Sequence, residues 1–355
     1  MRRLLFLTVL VSLALTGSAE GGQLRGAMLT PNWSAQGSRF EMTPAQQRGE
    51  IAAVAQMGGN VVRLHVDWAA LQPDGEVDPA YQAQLDQAVA DASQYGQAVI
   101  LNIIGTPCWA ALAPDCPTTS KNHMAPPRPT QFAEVTRYLL ARYPSLYGYE
   151  VWNEPNLAGG GFWTGSVADF AAIANAAVEG RNAIASHTRV IVGGLVDGGG
   201  DYLEQLYQAG MHGQDGISVH PYSAIPWFGW TSPSPKNSPF QQKIRLAHRI
   251  MLRHGDHGGL YVTEFGFGTC PATSCVPDLT AAAFLAQSFR VASRYRYVKA
   301  LTVFSMTDYA APSDPKPSWI DRSGILGKPA FGQVHRALKQ LRSKKYLKRL
   351  HRKKN

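Results

Sequence analysis

The sequence is poor in charged residues. Only 17% of its 355 residues are Asp, Glu, Lys or Arg, and 45% are hydrophobic, whereas about 25% charged residues is usual for globular domains. This balance excludes a disordered chain and a coiled coil, because both need far more polar and charged residues. The length suits one large domain or two ordinary ones.

Long hydrophobic runs are also missing, with one exception at the N terminus. Arg2 and Arg3 precede an apolar stretch from Leu4 to Leu15, and the small residues 17–19 follow it. This order is typical of a secretory signal peptide, and the stretch is shorter than the ~20 residues of a spanning helix. We therefore expect residues 1–19 to be removed and the mature chain to be secreted, with an uncleaved anchor as the alternative.

Cysteine is scarce, and its four positions form two short-range pairs. Cys108 is followed by Cys116, and Cys270 by Cys275. In an exported protein an even number favours disulfides, so we expect bonds within each pair, with free buried thiols as the alternative. Neither spacing resembles a zinc site, and no histidine cluster lies beside the pairs.

Acidic residues are absent from the last twenty positions. Residues 336–355 contain ten Lys or Arg, and without them and the two N-terminal arginines the formal charge of +9 becomes −3. The high isoelectric point therefore belongs to a tail, residues 342–355, and a basic face for nucleic acid is not indicated. The tail is either a solvated, frayed helix end or an electrostatic attachment to an anionic envelope polymer or lipid surface.

Short β-branched runs alternate with amphipathic stretches along the rest of the chain. The predicted strands are Gly26–Thr30, Val61–Val66, Ala98–Ile104, Leu146–Trp152, Arg189–Leu195, Gly216–His220, Leu260–Glu264 and Ala300–Ser305. The predicted helices are Pro44–Met57, Pro79–Tyr95, Pro129–Arg142, Val167–Ala185, Tyr202–Ala209, Gln241–His254, Thr280–Arg294 and Lys328–Leu341. Near-continuous apolar strands between helices are typical of a parallel sheet covered on both faces.

The glycine-rich turn of an open doubly wound sheet is missing. Residues 31–34 (PNWS) follow the first strand, and the glycines after the fifth strand lack the G-x-G-x-x-G spacing. Eight strand–helix units in a chain of this length favour an α/β fold, a (β/α)8 TIM barrel, as a single domain over residues 20–341. In that fold the chemistry lies at the C-terminal ends of the strands.

Two predicted strand ends carry a glutamate. Glu154 lies in residues 150–156 (EVWNEPN) after the fourth strand, and Glu264 lies in residues 263–266 (TEFG) at the seventh. Paired carboxylates at such a rim suit glycoside hydrolysis, because one donates a proton to the leaving oxygen and the other attacks or stabilises the anomeric carbon.

These two segments resemble the catalytic motifs of clan A glycoside hydrolases, in particular families 39 and 5. The resemblance extends to about Leu341 and implies a retaining (β/α)8 enzyme. By position, Glu154 matches the general acid/base and Glu264 the nucleophile. No metal or organic cofactor is implied, since two carboxylates and water suffice.

Four further residues match the family by position. Asn153 corresponds to the side chain that binds the sugar 2-hydroxyl. Arg63 resembles the arginine beside the nucleophile, where it would keep Glu264 ionised; an ion pair between Arg63 and Glu150 inside the barrel is the alternative, and both can hold.

Residues 220–222 (HPY) resemble a signature in which His220 and Tyr222 line the sugar-binding centre. The Tyr222 hydroxyl would hold the nucleophile in line, and simple packing is the alternative for both side chains. His65 lies deeper in its strand and is expected in the core.

Aromatic side chains on rim loops are the remaining candidates. Aromatic faces stack on pyranose rings, so we expect sugar contacts from Trp109, Trp163, Trp227 and Trp230, with loop packing as the alternative for each. The eighth strand departs from the family, where many members carry a tryptophan. Here residues 304–309 (FSMTDY) contain none, and Tyr309 or Trp319 would have to replace it.

The sequence therefore predicts a secreted, monomeric retaining β-glycosidase that acts on a β-linked oligo- or polysaccharide. The alternative is a sugar-binding barrel that has lost catalysis and serves adhesion to the cell envelope. The presence of both glutamates with Asn153 and Arg63 argues against this alternative, because a pure binding protein needs no nucleophile.

Overall fold

Eight parallel strands close into a barrel in chain order, with β8 paired to β1. The computed structural model describes residues 22–29, 42–113, 122–159, 161–222, 238–269, 275–309 and 320–343. The strands are β1 (Leu24–Met28), β2 (Val61–Asp67), β3 (Ala98–Ile104), β4 (Gly148–Val151), β5 (Arg189–Val196), β6 (Gly216–His220), β7 (Gly259–Val262) and β8 (Val298–Val303). The predicted TIM barrel is thus confirmed.

Helices connect the strands and cover the outside of the barrel. They are α1 (Pro44–Met57), α2 (Trp68–Leu71), α3 (Pro79–Gln94), α4 (Pro129–Arg142), α5 (Val167–Ala183), α6 (Gly200–Gln208), α7 (Pro239–Arg253), α8 (Asp278–Ala292) and α9 (Pro329–Arg342). Proline occupies the first turn of five of them, where its missing N–H costs no hydrogen bond. Thr43 and Ser166 begin α1 and α5 with capping boxes.

Most predicted boundaries lie within two or three residues of those in the structure, and two differences have clear causes. Strand β4 ends before Trp152, because that residue has a φ of 66° and turns the chain out of the extended conformation. The short helix α2 was not predicted. The Asp67 side chain caps it by accepting hydrogen bonds from the backbone N–H groups of Ala69 and Ala70.

Two apolar cores hold the barrel. The larger one lies between the strands and the helices, and it includes the outward-facing Val62, Leu64 and Val66 of β2. The smaller one fills the N-terminal end of the barrel interior. It comprises Leu24, Val61, Ile100, Ile191, Tyr261 and Ala300, and we call it the apolar plug.

The alternation along β2 determines what lies above the plug. Successive strand residues point to opposite faces, so Arg63 and His65 face the interior while their neighbours face the helices. The upper half of the barrel interior is therefore polar, and the lower half is apolar. Within the part of the chain that the structure describes, no helix is long and apolar enough to cross a membrane.

Gly26 offers a test of how tightly the barrel closes. A Cβ atom at this position would overlap the carbonyl oxygen of Val61 on the neighbouring strand. We expect Gly26→Ala to lower the free energy of unfolding by about 3 kcal/mol or more, as overpacking does. Gly49→Ala is the matched control, since Gly49 is exposed in α1 with open space around it. That change should add roughly 0.5–1 kcal/mol. Urea denaturation measures both, and equal midpoints for the two variants would contradict the expected overlap.

Candidate active site

Glu154 and Glu264 meet above the polar half of the barrel interior. Glu154 follows β4, and Glu264 lies two residues beyond the end of β7. Their side chains are 12% and 7% exposed. Glu154 Oε1 lies 2.7 Å from Nδ1 of His220, and Glu264 Oε2 lies 3.7 Å from the same atom. The structure thus brings together both predicted carboxylates and one predicted histidine.

Arg63 is fully buried beneath this pair and holds it in place. Its Nε donates to Glu150 Oε2 at 2.5 Å, and its Nη1 donates to Glu264 Oε1 at 2.5 Å. Burial opposes the charged form of Arg63, but the two carboxylates outweigh burial and raise the pKa of the guanidinium. The two sequence-based interpretations of Arg63 therefore hold together.

Asn153 lies beside the same guanidinium. Its Oδ1 accepts from Arg63 Nη2 at 2.8 Å, and the residue is 4% exposed. Because a guanidinium only donates, this contact fixes which end of the amide faces Arg63. The Nδ2 group makes no hydrogen bond to another described residue, so it remains available as a donor to a ligand.

Tyr222 binds the other oxygen of Glu264. Its hydroxyl donates to Glu264 Oε2 at 3.0 Å. Burial, then the negative charge of Glu264, raises the pKa of the phenol, so Tyr222 stays a protonated donor. Lys243 of α7 supports the tyrosine by donating to its backbone carbonyl and to Asp197.

His220 is fully buried and is bonded at both ring nitrogens. Besides the Nδ1 contact with Glu154, its Nε2 lies 3.2 Å from Oγ1 of Thr263. Thr263 in turn donates to Glu150 Oε1 at 2.7 Å. A continuous path of hydrogen bonds thus joins Glu154 to the ion pair under Glu264.

His65 belongs to the site, so its expected place in the core is wrong. The side chain is half-buried, and its Nε2 lies 3.3 Å from Arg63 Nη1. Burial, then the positive charge of Arg63, lowers the pKa of His65 well below its usual value, so His65 is neutral. The signal that could have found it is the period of two along β2, which places residues 63 and 65 on one face.

The predicted sugar platform at Trp163 does not fit its packing. Trp163 is 4% exposed and lies between Trp152 and Phe170, with ring centroids 5.1 and 5.2 Å away. Both contacts are T-shaped, and with so little of the residue exposed no ring face is open to a sugar. Trp109 is half-buried, meets Trp68 edge-on at 5.9 Å and donates to the backbone of Gln72.

Some of the other aromatic and cysteine residues singled out in the sequence lie outside the described residues. Trp227, Trp230 and Trp319 do so entirely, whereas the Tyr309 ring lies 5.6 Å from that of Phe304. Phe304 is 6.3 Å from the ring of Tyr222, which puts Tyr309 on the site's side of β8. No described cysteine is free, but Cys116 and Cys270 fall outside the description, so the disulfide pairing stays a prediction.

Glu154, His220 and Glu264 also have the donor set of a cation site. One ligand atom from each lies within 4.8 Å of the others. The Arg63 guanidinium already binds Glu264, so a metal ion would enter against a positive charge 2.5 Å from that carboxylate. The chemistry that the two carboxylates offer does not require such an ion.

The buried ion pair allows a stability test that is independent of any activity. Arg63→Met leaves Glu150 buried without its cation, and we expect a loss of about 3–5 kcal/mol in unfolding free energy. Adding Glu150→Met should recover part of that loss. The exposed pair of Arg142 and Asp86 is the control, where Arg142→Met should cost only about 0–1 kcal/mol. Similar losses at the two arginines, measured by chemical denaturation, would contradict this account of Arg63.

Comparison with known proteins identifies the family to which this chain belongs. The sequence matches the model of the cellulase family, glycosyl hydrolase family 5, over residues 21–295. No protein among those with curated descriptions matches it.

Solved structures with the same architecture come from several bacteria. An endo-β-1,4-glucanase from Xanthomonas axonopodis pv. citri has a TM-score of 0.64 at 17% identity, with 90% of this chain and 100% of that chain covered. A GH5_18 protein from Streptomyces cattleya, solved with GlcNAc, has a TM-score of 0.64 at 16% identity, covering 91% and 81%. A monomeric β-xylosidase from Caulobacter crescentus has a TM-score of 0.62 at 18% identity, covering 88% and 67%.

At these identities the structural likeness shows the shared barrel alone. The family model, in contrast, covers well over half of the chain and includes both rim glutamates. The chain therefore belongs to glycosyl hydrolase family 5, and it is a clan A glycoside hydrolase acting on O-glycosyl bonds.

Proposed function

We propose that the protein is a retaining β-glycosidase that works by double displacement. The observation that carries this proposal is the spacing of the carboxylates, whose facing oxygens on Glu154 and Glu264 lie within 4.8 Å of one another. Retaining enzymes hold their carboxyl groups about 5–5.5 Å apart, whereas inverting enzymes need about 6.5–9.5 Å to admit a water molecule. The closer spacing favours direct attack by a carboxylate.

The surroundings of each glutamate favour its role. Glu264 accepts hydrogen bonds from Arg63 and Tyr222, which stabilise its charged form and suit a nucleophile. Glu154 has no Lys or Arg partner among the described residues and contacts His220 instead. It is therefore the group suited to carry a proton at the start of the reaction.

The two steps follow from these roles. Glu264 attacks the anomeric carbon while Glu154 gives its proton to the departing glycosidic oxygen, so a glycosyl ester forms and the bond to the aglycone breaks. Glu154 then takes a proton from water, whose oxygen attacks the same carbon and releases Glu264. The free Nδ2 of Asn153 is placed to bind a sugar hydroxyl beside the nucleophile.

We propose a β-linked oligo- or polysaccharide as the substrate. The family match supports a glycan, and Trp109 after β3 is a predicted aromatic contact that stays partly exposed. Reducing-sugar release from a panel of β-glucans, mannans and xylans, together with aryl β-glycosides, identifies the sugar. A protein that binds these glycans but releases no sugar from any of them would be the adhesion barrel instead.

Two alanine variants separate the roles of the glutamates. We expect Glu264→Ala to lose turnover, and added azide should restore it from the vacated side with a product of inverted configuration. Glu154→Ala should still form the glycosyl-enzyme from a dinitrophenyl glycoside, which needs no proton, and azide should then give a product of retained configuration. Glu134→Ala, at an exposed ion pair on α4, is the control and should keep full activity.

Product stereochemistry by NMR decides between the outcomes. Inverted azide from Glu154→Ala and retained azide from Glu264→Ala would mean that the two roles are exchanged. Full activity in both variants would refute the glycosidase mechanism proposed for this site.

We also propose that the chain is secreted with residues 1–19 removed, and that Cys108–Cys116 and Cys270–Cys275 are disulfides. The support is the N-terminal pattern and the pairing of cysteines on the loops after β3 and β7. Each short loop should contribute ~2–3 kcal/mol by restricting the unfolded chain. Non-reducing peptide mapping tests the pairing, and a peptide joining residues 108 and 270 would contradict it.

The distribution of surface cations supports attachment to an anionic envelope surface. We define the basic side as the following exposed cations of α7, the α8–β8 connection, β8 and α9, which form no ion pair within the described ranges: Arg245, Arg249, Arg294, Arg296, Lys299, Arg336, Lys339 and Arg342. By contrast, Arg48, Arg142 and Arg181 of α1, α4 and α5 each pair with an aspartate. The tail continues from the end of α9, so we propose that tail and basic side act together in a monomeric enzyme.

Truncation after Ser343 tests this attachment. We expect unchanged turnover of a small aryl glycoside, because α9 and its buried Leu341 remain. Adsorption to phosphatidylglycerol vesicles at low salt should weaken, and the remainder should disappear near 0.5 M salt, where charges are screened beyond ~4 Å. Adsorption that is equal with and without the tail, or insensitive to salt, would contradict the proposal.

A further inference from the structure

We propose that the buried Arg63–Glu150 ion pair, acting through Thr263, fixes which ring nitrogen of His220 carries a proton and so controls the proton on Glu154. Thr263 is then a positioning residue for the acid/base. The inference rests on the proposed role of Glu154, but its first test reads the histidine directly and does not depend on turnover.

The direction of each hydrogen bond follows from what each group is able to do. Glu150 binds a buried guanidinium at 2.5 Å, so it is ionised and only accepts. Thr263 lies 2.7 Å from the other oxygen of Glu150 and must donate its single hydroxyl proton there. The Thr263 oxygen therefore has only lone pairs left for His220 Nε2, 3.2 Å away. Nε2 must be the protonated nitrogen of a neutral His220.

The ring is also held against rotation. Gly194 packs on its edge, where even a Cβ atom would come within 3.2 Å of Cε1 and Nε2. The Gly194 N–H is itself held by Ser218 Oγ at 2.6 Å. The other groups that face His220 are Glu264 Oε2 at 3.7 Å, the neutral His65 and the Tyr222 ring, whose centroid is 6.3 Å away. Among these described groups, none offers Nε2 a competing proton.

A neutral His220 thus presents a bare Nδ1 to Glu154. With His220 in this neutral form, an ionised Glu154 would place two lone pairs 2.7 Å apart, so this tautomer requires the proton between the two groups to lie on Glu154. The glycosidic oxygen then competes with Nδ1 for that proton. Once the proton has gone to the leaving group, the carboxylate has no donor from a neutral His220. It is a stronger base for the water that ends the reaction.

His65 provides a contrast within the same site. Its Nε2 faces Arg63, which only donates, so the proton of neutral His65 must lie on Nδ1. Arg63 thus puts the proton of His65 on Nδ1, because the guanidinium donates to Nε2 of that ring. Its partner Glu150 puts the proton of a neutral His220 on Nε2, because Glu150 takes the hydroxyl proton of Thr263.

The first experiment is nitrogen NMR of the whole protein labelled with 15N-histidine. Peaks are assigned with His65→Gln and His220→Gln variants. We expect His65 to be neutral with its proton on Nδ1, and any neutral His220 to carry its proton on Nε2. A neutral His220 with its proton on Nδ1, or a His220 protonated on both nitrogens at the pH of the activity assays, would overturn the proposal, whatever the protein hydrolyses.

The second experiment compares Thr263→Val with Thr263→Ser. Valine removes the hydroxyl, so His220 is free to move its proton to Nδ1 and stabilise an ionised Glu154. We expect the alkaline limb of kcat/KM for a poor leaving group to move down by about 1 pH unit, the size of one hydrogen bond to a charged group. Serine should restore the limb, because it keeps the hydroxyl.

Leaving-group dependence separates this effect from a general loss of structure. For Thr263→Val, kcat/KM at alkaline pH should fall about tenfold or more with an alkyl glycoside, and less than about threefold with a dinitrophenyl glycoside. Equal losses for the two substrates, or an unmoved alkaline limb, would overturn the proposal. A wrong assignment of Glu154 as the acid/base gives a different result. In that case Glu154→Ala would leave turnover unchanged, while the NMR spectra would still show the stated proton positions on the two histidines.

Discussion

The fully buried guanidinium of Arg63 is the group on which the site depends. Four of its contacts reach side chains at the upper end of the barrel interior: Glu150, Glu264, Asn153 and His65. A buried charge of this kind is tolerated only when its partners satisfy it. Glu150 and Glu264 satisfy it here. Together they carry one more negative charge than Arg63 balances, and this excess charge lies on the side of the cleft. The arginine therefore determines the charge of the site as well as the orientation of its parts.

The end of β4 shows how packing supports that arrangement. Trp152 and Glu154 both have positive φ angles, which cost free energy for residues with side chains. The indole of Trp152 donates to Phe162, its carbonyl accepts from Asn102, and Trp163 packs against its ring. These contacts stabilise the turn that carries Glu154 to the cleft. Trp163 thus contributes to the site by holding the strand end and offers no free face to a sugar.

The fold and the two glutamates could be predicted from sequence for the same reason. Eight apolar runs separated by amphipathic stretches leave few architectures open, and a barrel places its strand ends at one rim. The positions of Thr263 and His65 depend on something else. Whether Thr263 meets His220, or His65 meets Arg63, is decided by the register between strands and by the inward alternation. Local sequence does not contain that register, so the hydrogen-bond path beneath the glutamates became visible only in three dimensions.

The apolar plug closes one end of the barrel, so the described part of the interior is open at the rim that carries the glutamates. Residues such as Ile100, Ile191 and Tyr261 close its lower end, and helices surround its wall. The described residues leave no passage through that lower end, so the glycan proposed as the substrate would lie across the open end or insert one terminus into it. Both products of cleavage would then leave by the face through which the substrate arrived. The departure of one product would therefore depend on whether the other still occupies that face.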